Sequence, residues 1–211
     1  MSNMIITINR ENGSGGREIA HLLGEKLNLK VYDKAIFEAV AQKYNLTREE
    51  IERIKAQKVN LWDEFCQFYR QFSAAGNSYQ NEDRKITSRE LYYTEAQIMR
   101  NLASQESCII VGRSGFHVFK DDPNALRIFI MADLDIRIKR IAAKQNIDEK
   151  AAAKYIKDTD AARDSFTKTF AGTSRYDAHN YDMTLNVRHF SAESIASFLA
   201  ENIKRRMQAE Q

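Results

Sequence analysis

The stretch that decides the fold is residues 4–17, MIITINRENGSGGR. Met4–Asn9 is short, apolar and β-branched, the pattern of a strand buried in a parallel sheet. That pattern stops at Arg10. Gly13, Ser14, Gly15 and Gly16 follow in a polar segment, and Glu18–Leu27 then places Ile19, Leu22, Leu23 and Leu27 at helical spacing. A strand, a glycine loop and a helix, in that order, form the setting in which backbone N–H groups converge on a phosphate. Glycine permits positive φ, and the helix adds the positive end of its dipole. The segment therefore nominates Asn12, Gly13, Ser14, Gly15, Gly16 and Arg17 as a phosphate cradle.

The segment departs from the full phosphate-loop pattern GxxxxGK[S/T]. Arg10 stands where the first glycine belongs, Gly15 matches the second, and Gly16 replaces the lysine. Arg17 comes next and is the candidate to supply the missing charge, because a guanidinium can grip phosphate through two parallel hydrogen bonds. An exposed arginine in the first helical turn is an equally good reading of the same residue.

Outward from the loop, the chain alternates strands and helices. Lys30–Tyr32 is a second strand, and Asp33 can cap a helix carrying Ile36, Phe37, Val40 and Ala41 on one face. Thr47 with Glu50 forms a capping box for another helix through Ala56. Residues 60–73 are rich in aromatics at helical spacing, and residues 74–83 read as a loop. A long helix is expected over Arg89–Gln105, and strands over Ser107–Val111, Ala125–Met131 and Tyr181–Val187. Further helices are expected over Asp133–Lys144, Asp148–Phe170 and from Ser191 to Met207. Strands separated by helices predict a parallel sheet covered on both faces. The expectation is an α/β, P-loop-type three-layer sandwich with a five-stranded parallel sheet, formed by one domain over residues 1–211. Residues 45–89 hold helices and no strand, and read as a helical flap inserted in that domain.

Composition bounds the function. The chain has 211 residues, with 32 Lys and Arg against 29 Asp and Glu, a net charge of +3. That balance suits an anionic small ligand, but the bases are interleaved with acids and form no stripe of the kind a nucleic acid requires. The two cysteines, Cys66 and Cys108, are far apart and lack metal-ligand spacing, so a reducing compartment is expected. No apolar run is long enough to span a bilayer, and the first ten residues lack a signal-peptide layout. A cytoplasmic location is the expectation. The four histidines show no ligand spacing. The aromatics Trp62, Phe65, Phe68, Tyr69 and Phe72 suit a core or a homodimer contact better than a base pocket.

Six segments in one order carry a wider likeness: ITINRENGSGGREIA, VYDKAIFEAVA, CIIVGRSGFHVF, LRIFIMADLDIRIKRI, DTDAARDSF and NYDMTLNVRHFSAESI. With these the chain resembles the cytidylate kinase-like family, a branch of the nucleoside monophosphate kinases. The resemblance implies transfer of the γ-phosphate of ATP, with Mg²⁺, to cytidine monophosphate or a related small acceptor. Cytidylate kinases proper carry Asp-Gly-Arg-Asp after the third strand, whereas this chain has Val111-Gly112-Arg113-Ser114. Arg113 matches the arginine that touches the monophosphate, and both aspartates are missing.

The same resemblance makes Arg163 a lid arginine within a lid-like segment over residues 148–170. It places Arg137 and Arg140 at the start of the lid-side helix, and Asp33 near the monophosphate site. The candidate catalytic residues are thus Arg17, Arg113 and Arg163, and the candidate acceptor-binding residues are Asp33, Arg113 and Arg163. A surface ion pair is the plain alternative for Arg113, pairing with Asp160 or Asp164 for Arg163, and helix capping for Asp33. Glu11 and Asp33 are the acids placed to meet a metal, and neither is assigned as a ligand. Two other readings stay open. One is a nucleotide-binding sensor or regulatory protein with weak or no catalysis, motivated by the absent lysine and aspartates. The other, ranked last, is a nucleic-acid or protein-interaction module.

Overall fold

The buried β-branched run of the opening segment forms β1 (Ile5–Arg10), the middle of a five-stranded sheet. A computed structural model describes the protein over residues 3–33 and 87–209, together with Glu38 and Gln42. β1 pairs in parallel with β3 (Cys108–Val111) on one side and with β4 (Ala125–Met131) on the other. β2 (Lys30–Tyr32) lies outside β3, and β5 (Met183–Asn186) outside β4, giving the order β2-β3-β1-β4-β5, parallel throughout. The described helices are α1 (Gly16–Leu27), α2 (Ser88–Gln105), the one-turn α3 (Gly115–Val118), α4 (Leu134–Gln145), α5 (Glu149–Ala171) and α6 (Ala192–Ala209). A 3₁₀ turn spans Ala178–Asn180.

Alternation along the strands divides the core into two layers. Ile6, Ile8, Ile109, Val111, Ile128 and Ile130 face one way and pack with Ile19 and Leu23 of α1 and Leu199 and Ile203 of α6. Ile5, Cys108, Ile110 and Ala125 face the other way and meet Met99 and Ala103 of α2 and Phe119. Each fully buried Ile or Leu contributes roughly 1.5–3 kcal/mol of transfer free energy. These layers therefore fix the strand ends in space before any charge is considered. Cys108 is fully buried, and burial pushes its thiol up to about 11.

The α/β architecture with five parallel strands agrees with the sequence expectation, and the main differences are at element ends. α1 begins at Gly16 rather than Glu18, because Gly16 and Arg17 wind into its first turn without leaving an apolar signature. α2 starts on a capping box: Thr87 Oγ1 accepts from the Glu90 N–H at 3.2 Å, and Glu90 Oε2 accepts from the Thr87 N–H at 3.1 Å. α3 and the 3₁₀ turn were not expected from periodicity, being too short to show one. Of the flap expected over 45–89, residues 45–86 lie outside the described residues and 87–89 lead into α2. The aromatic segment 60–73 also falls outside them, as does the helix expected after Asp33 apart from Glu38 and Gln42, which are helical. Among the described residues no helix is long and apolar enough to cross a membrane.

Candidate functional site

The chain leaves β1 through α1 to reach β2 on one flank of the sheet, and leaves β3 for β4 on the opposite side of β1. The direction of winding thus reverses between β1 and β3, and at such a reversal the loops at the carboxyl ends of the strands part and leave a crevice. Arg10 ends β1 there, and Gly112, Arg113 and Ser114 follow β3. All three of the latter adopt positive φ, at 78°, 57° and 55°. Positive φ at two successive non-glycine residues is uncommon and concentrates at functional turns.

The glycine loop is tethered to β4 and folded on itself. The Glu11 N–H donates to the Ile130 carbonyl at 3.0 Å, and the Ser14 hydroxyl donates to the Glu11 carbonyl at 2.9 Å. Gly15 caps α1 in the left-handed conformation (φ 87°) and brings no side chain to the N–H groups of the first turn. These groups have no partner within the helix, so the turn offers a partial positive charge toward the crevice. Gly16 N–H reaches Ser14 Oγ only at 3.4 Å. Asn12 is different: its N–H donates to Asp160 Oδ1 of α5 at 3.0 Å. The helical segment expected as a lid is therefore bonded directly to the loop in this conformation.

Arginines dominate the surroundings. Arg17 Nε pairs with Asp33 Oδ2 at 2.5 Å, so two nominated residues meet, but as partners of each other. Arg113 Nη1 donates to Glu95 Oε1 of α2 at 3.0 Å, and Glu95 is 1% exposed. Arg163 Nη1 and Arg175 Nη1 each lie 3.9 Å from Asp160 Oδ1. Arg137 donates to Asp160 Oδ2 at 2.8 Å and approaches Glu11 Oε2 at 3.4 Å. Arg140 donates to the Ser14 carbonyl at 2.7 Å. These two arginines of α4, which the resemblance put on the lid side, hold the loop and α5 together.

Four residues of this network were not candidate site residues in the sequence, although Asp160 was named there as a partner for Arg163, which it meets. Asp160 receives hydrogen bonds from Asn12 and Arg137. Glu95 anchors Arg113. Arg175 is 3% exposed and donates through Nη2 to the Arg10 carbonyl, and Tyr181 supports it by donating to the Arg175 carbonyl at 2.7 Å. The fourth is Arg10 itself. Its side chain runs past Gly16 toward Gly112, where an added Cβ would strike its Nη1. Burial first, then the charges of Arg163, Arg175 and Arg113, push its guanidinium down to about 9, and Asp33 opposes them. Arg10 was legible as a cation at the end of a buried strand. Arg175 sits in a polar stretch that carries no such signal.

Among the described residues the donor set does not fit a resident Mg²⁺. Arg17 stands where the usual loop offers a hydroxyl, Glu11 Oε2 accepts the Ala132 N–H at 3.1 Å and faces Arg137, and Asp33 is held by Arg17. Among the described residues no group of three or more His, Cys, Asp or Glu could hold a metal. What the crevice presents instead is positive charge and open N–H groups, the chemistry of a polyanion site.

The chain has full-length relatives among known proteins. A cytidylate kinase from Methanobrevibacter smithii is 27% identical over 211 residues, covering 95% of this chain and 99% of its own. A solved structure from Eubacterium ventriosum, whose protein is uncharacterized, superposes with a TM-score of 0.69 at 22% identity, covering 96% and 99% of the two chains. Shikimate kinase from Acinetobacter baumannii superposes with a TM-score of 0.52 at 12% identity over 97% and 94% of the two chains, which shows a shared fold and no more. A sequence model of the cytidylate kinase-like family matches residues 5–189 of the 211, and on that match the chain belongs to the cytidylate kinase-like family of P-loop proteins.

Proposed function

We propose that this protein transfers the γ-phosphate of ATP to a nucleoside monophosphate, with cytidine monophosphate the first acceptor to test. The observation that carries the proposal is the convergence of Arg10, Arg113, Arg163 and Arg175 on the strand ends beside an uncapped helix N-terminus. The names of the full-length relatives support the choice of acceptor.

Phosphoryl transfer asks a protein chiefly to place two reactants in line and to stabilise charge spread over the moving group. Here the backbone N–H groups of the first turn of α1, from Gly15 onward, hold the donor phosphates, while the Arg17 side chain turns away from them onto Asp33. Arg113, braced by Glu95, holds the acceptor phosphate from the end of β3. Arg163 and Arg175 reach the transferred group from the α5 side, released from Asp160 as the anion replaces it. Asp33 orients Arg17 across the mouth of the acceptor site. The α5 segment acts as the lid and residues 45–89 as the acceptor flap. Closure of both excludes water, which would otherwise compete as acceptor.

The test is a coupled assay of ADP release with ATP and Mg²⁺ against every nucleoside monophosphate, with product identity checked by chromatography. Acceptor-dependent ADP formation, strongest with a pyrimidine monophosphate, is the expected result. ATP binding without transfer to any acceptor at high enzyme concentration would refute it.

A further inference from the structure

The geometry points to an exchange of places inside the glycine loop: Arg10, at the position of the first loop glycine, holds the donor phosphates in place of the loop lysine, and glycine at 16 is what admits it. This rests on reading the crevice as a nucleoside triphosphate site, and goes beyond it by naming which cation does the work.

Three observations carry it. The first is steric. A Cβ built on Gly16 would lie 2.7 Å from Arg10 Cβ, which the backbone fixes, 3.1 Å from its Cγ and 3.2 Å from Ile130 Cβ. A lysine at 16 and an arginine at 10 therefore exclude one another, and the chain carries only one of the two cations. The second is the path of the side chain. It crosses from the start of α1 to Gly112, where an added Cβ would strike Nη1, so it spans the crevice between β1 and β3. Glycines at both ends of its course leave room for it. The third is electrostatic. Burial and three neighbouring arginines disfavour the charge on Arg10. Asp33, the described carboxylate that acts on it, is already paired with Arg17. A guanidinium held among like charges at a place where strand ends and an uncapped helix meet gains most from a polyanion.

Arg17, the sequence-level candidate for the same role, does not share these features. It lies on the outer side of the first turn, with 42% of its side chain exposed and its Nε on Asp33.

The experiment measures binding apart from transfer. ATP and inorganic tripolyphosphate are titrated into the full-length protein by calorimetry, and melting temperature is recorded with and without them. Five forms are compared: wild type, Arg10→Gln, Gly16→Lys, Arg17→Gln and the double variant Arg10→Gly with Gly16→Lys. Arg10→Gln is expected to weaken both ligands by about 10- to 100-fold, the loss of a charge-assisted contact, while its unliganded melting temperature stays level or rises as like-charge repulsion is relieved. Gly16→Lys alone is expected to bind poorly, and the double variant, which restores the ordinary glycine and lysine positions, to recover affinity. Arg17→Gln is expected to change affinity less than threefold.

Wild-type affinity in Arg10→Gln would overturn the assignment, as would a double variant binding no better than Arg10→Gln. A fall in unliganded melting temperature with ligand affinity intact would make Arg10 a structural residue and overturn it equally. If wild type binds ATP but phosphorylates no acceptor, the proposed reaction fails and this assignment stands on the binding data. If wild type binds neither ATP nor tripolyphosphate, both fail.

Discussion

The two ends of the sheet treat an arginine in opposite ways. Near the amino end of β4, Arg127 meets Asp182 through two hydrogen bonds, Nε to Oδ2 at 3.1 Å and Nη2 to Oδ1 at 2.7 Å. The pairing holds the Arg127 guanidinium above its usual range and the Asp182 carboxyl below 3.8. At the carboxyl end of β1, Arg10 is pushed down by burial and by three further arginines. The first arrangement is complete in itself: a fork on a carboxylate that ties the chain before β5 to β4. Among the described residues the second meets one opposing carboxylate, Asp33, which is itself paired with Arg17. The difference teaches how to tell structural from functional charge in a fold of this kind: by whether the protein supplies the counter-charge.

Several measurements would break or sharpen that contrast. The largest stability effect should come from neither end. Ile128→Ala, in the fully buried middle of β4, is expected to cost about 2–5 kcal/mol in urea denaturation. ATP affinity of the folded fraction should be unchanged, since no charge moves. Asp160→Asn is expected to cost about 1–3 kcal/mol, because Arg137 and the Asn12 N–H lose an ionised acceptor. It should also loosen α5 from the loop, seen as faster amide exchange in α5 with the sheet unaffected.

Gly112→Ala forces a residue with φ 78° and a Cβ against Arg10, and is expected to cost about 1–2 kcal/mol from backbone strain. It should weaken ATP binding as well, by displacing Arg10. A loss of stability with binding intact would argue that Arg10 does not need that path.

The smallest effect is at the amino end. Asp182→Asn is expected to cost roughly 0.5–1 kcal/mol at pH 7, limited by solvent screening of a partly exposed pair. The sign with pH follows from the depressed native value. The contribution is full above the unfolded value near 3.8 and is lost as pH falls through the lower native value. Wild type and Asp182→Asn should therefore converge in acid and diverge toward neutrality, while ATP affinity stays level throughout. A change in ATP affinity in Asp182→Asn would erase the distinction between the two ends.

Much of the fold was legible from local pattern. β-Branched runs such as CIIV and ALRIFIM gave buried strands because a sheet covered on both faces needs unbroken apolar segments. The helical repeat after Gly16 gave α1, and the glycine loop between them marked where an anion would go. Short elements such as α3 escaped because one turn has no period. Arg113 was legible as an arginine just past a strand end. Its anchor Glu95 was not, because a carboxylate in an amphipathic helix looks the same whether it faces water or a buried guanidinium.

The sequence by itself determined the α/β alternation, the glycine loop's place after the first strand and the absence of a loop lysine, since each is a matter of residue type along a short segment. Only the tertiary structure decided which arginine replaces that lysine. Arg17 is next to the gap in sequence, but the helix turns it outward onto Asp33. Arg10, six positions earlier than Gly16, comes back across the crevice because parallel pairing sets the end of β1 beside the end of β3. Charge near a phosphate depends on distance in space, and strand order, which no single segment encodes, sets that distance.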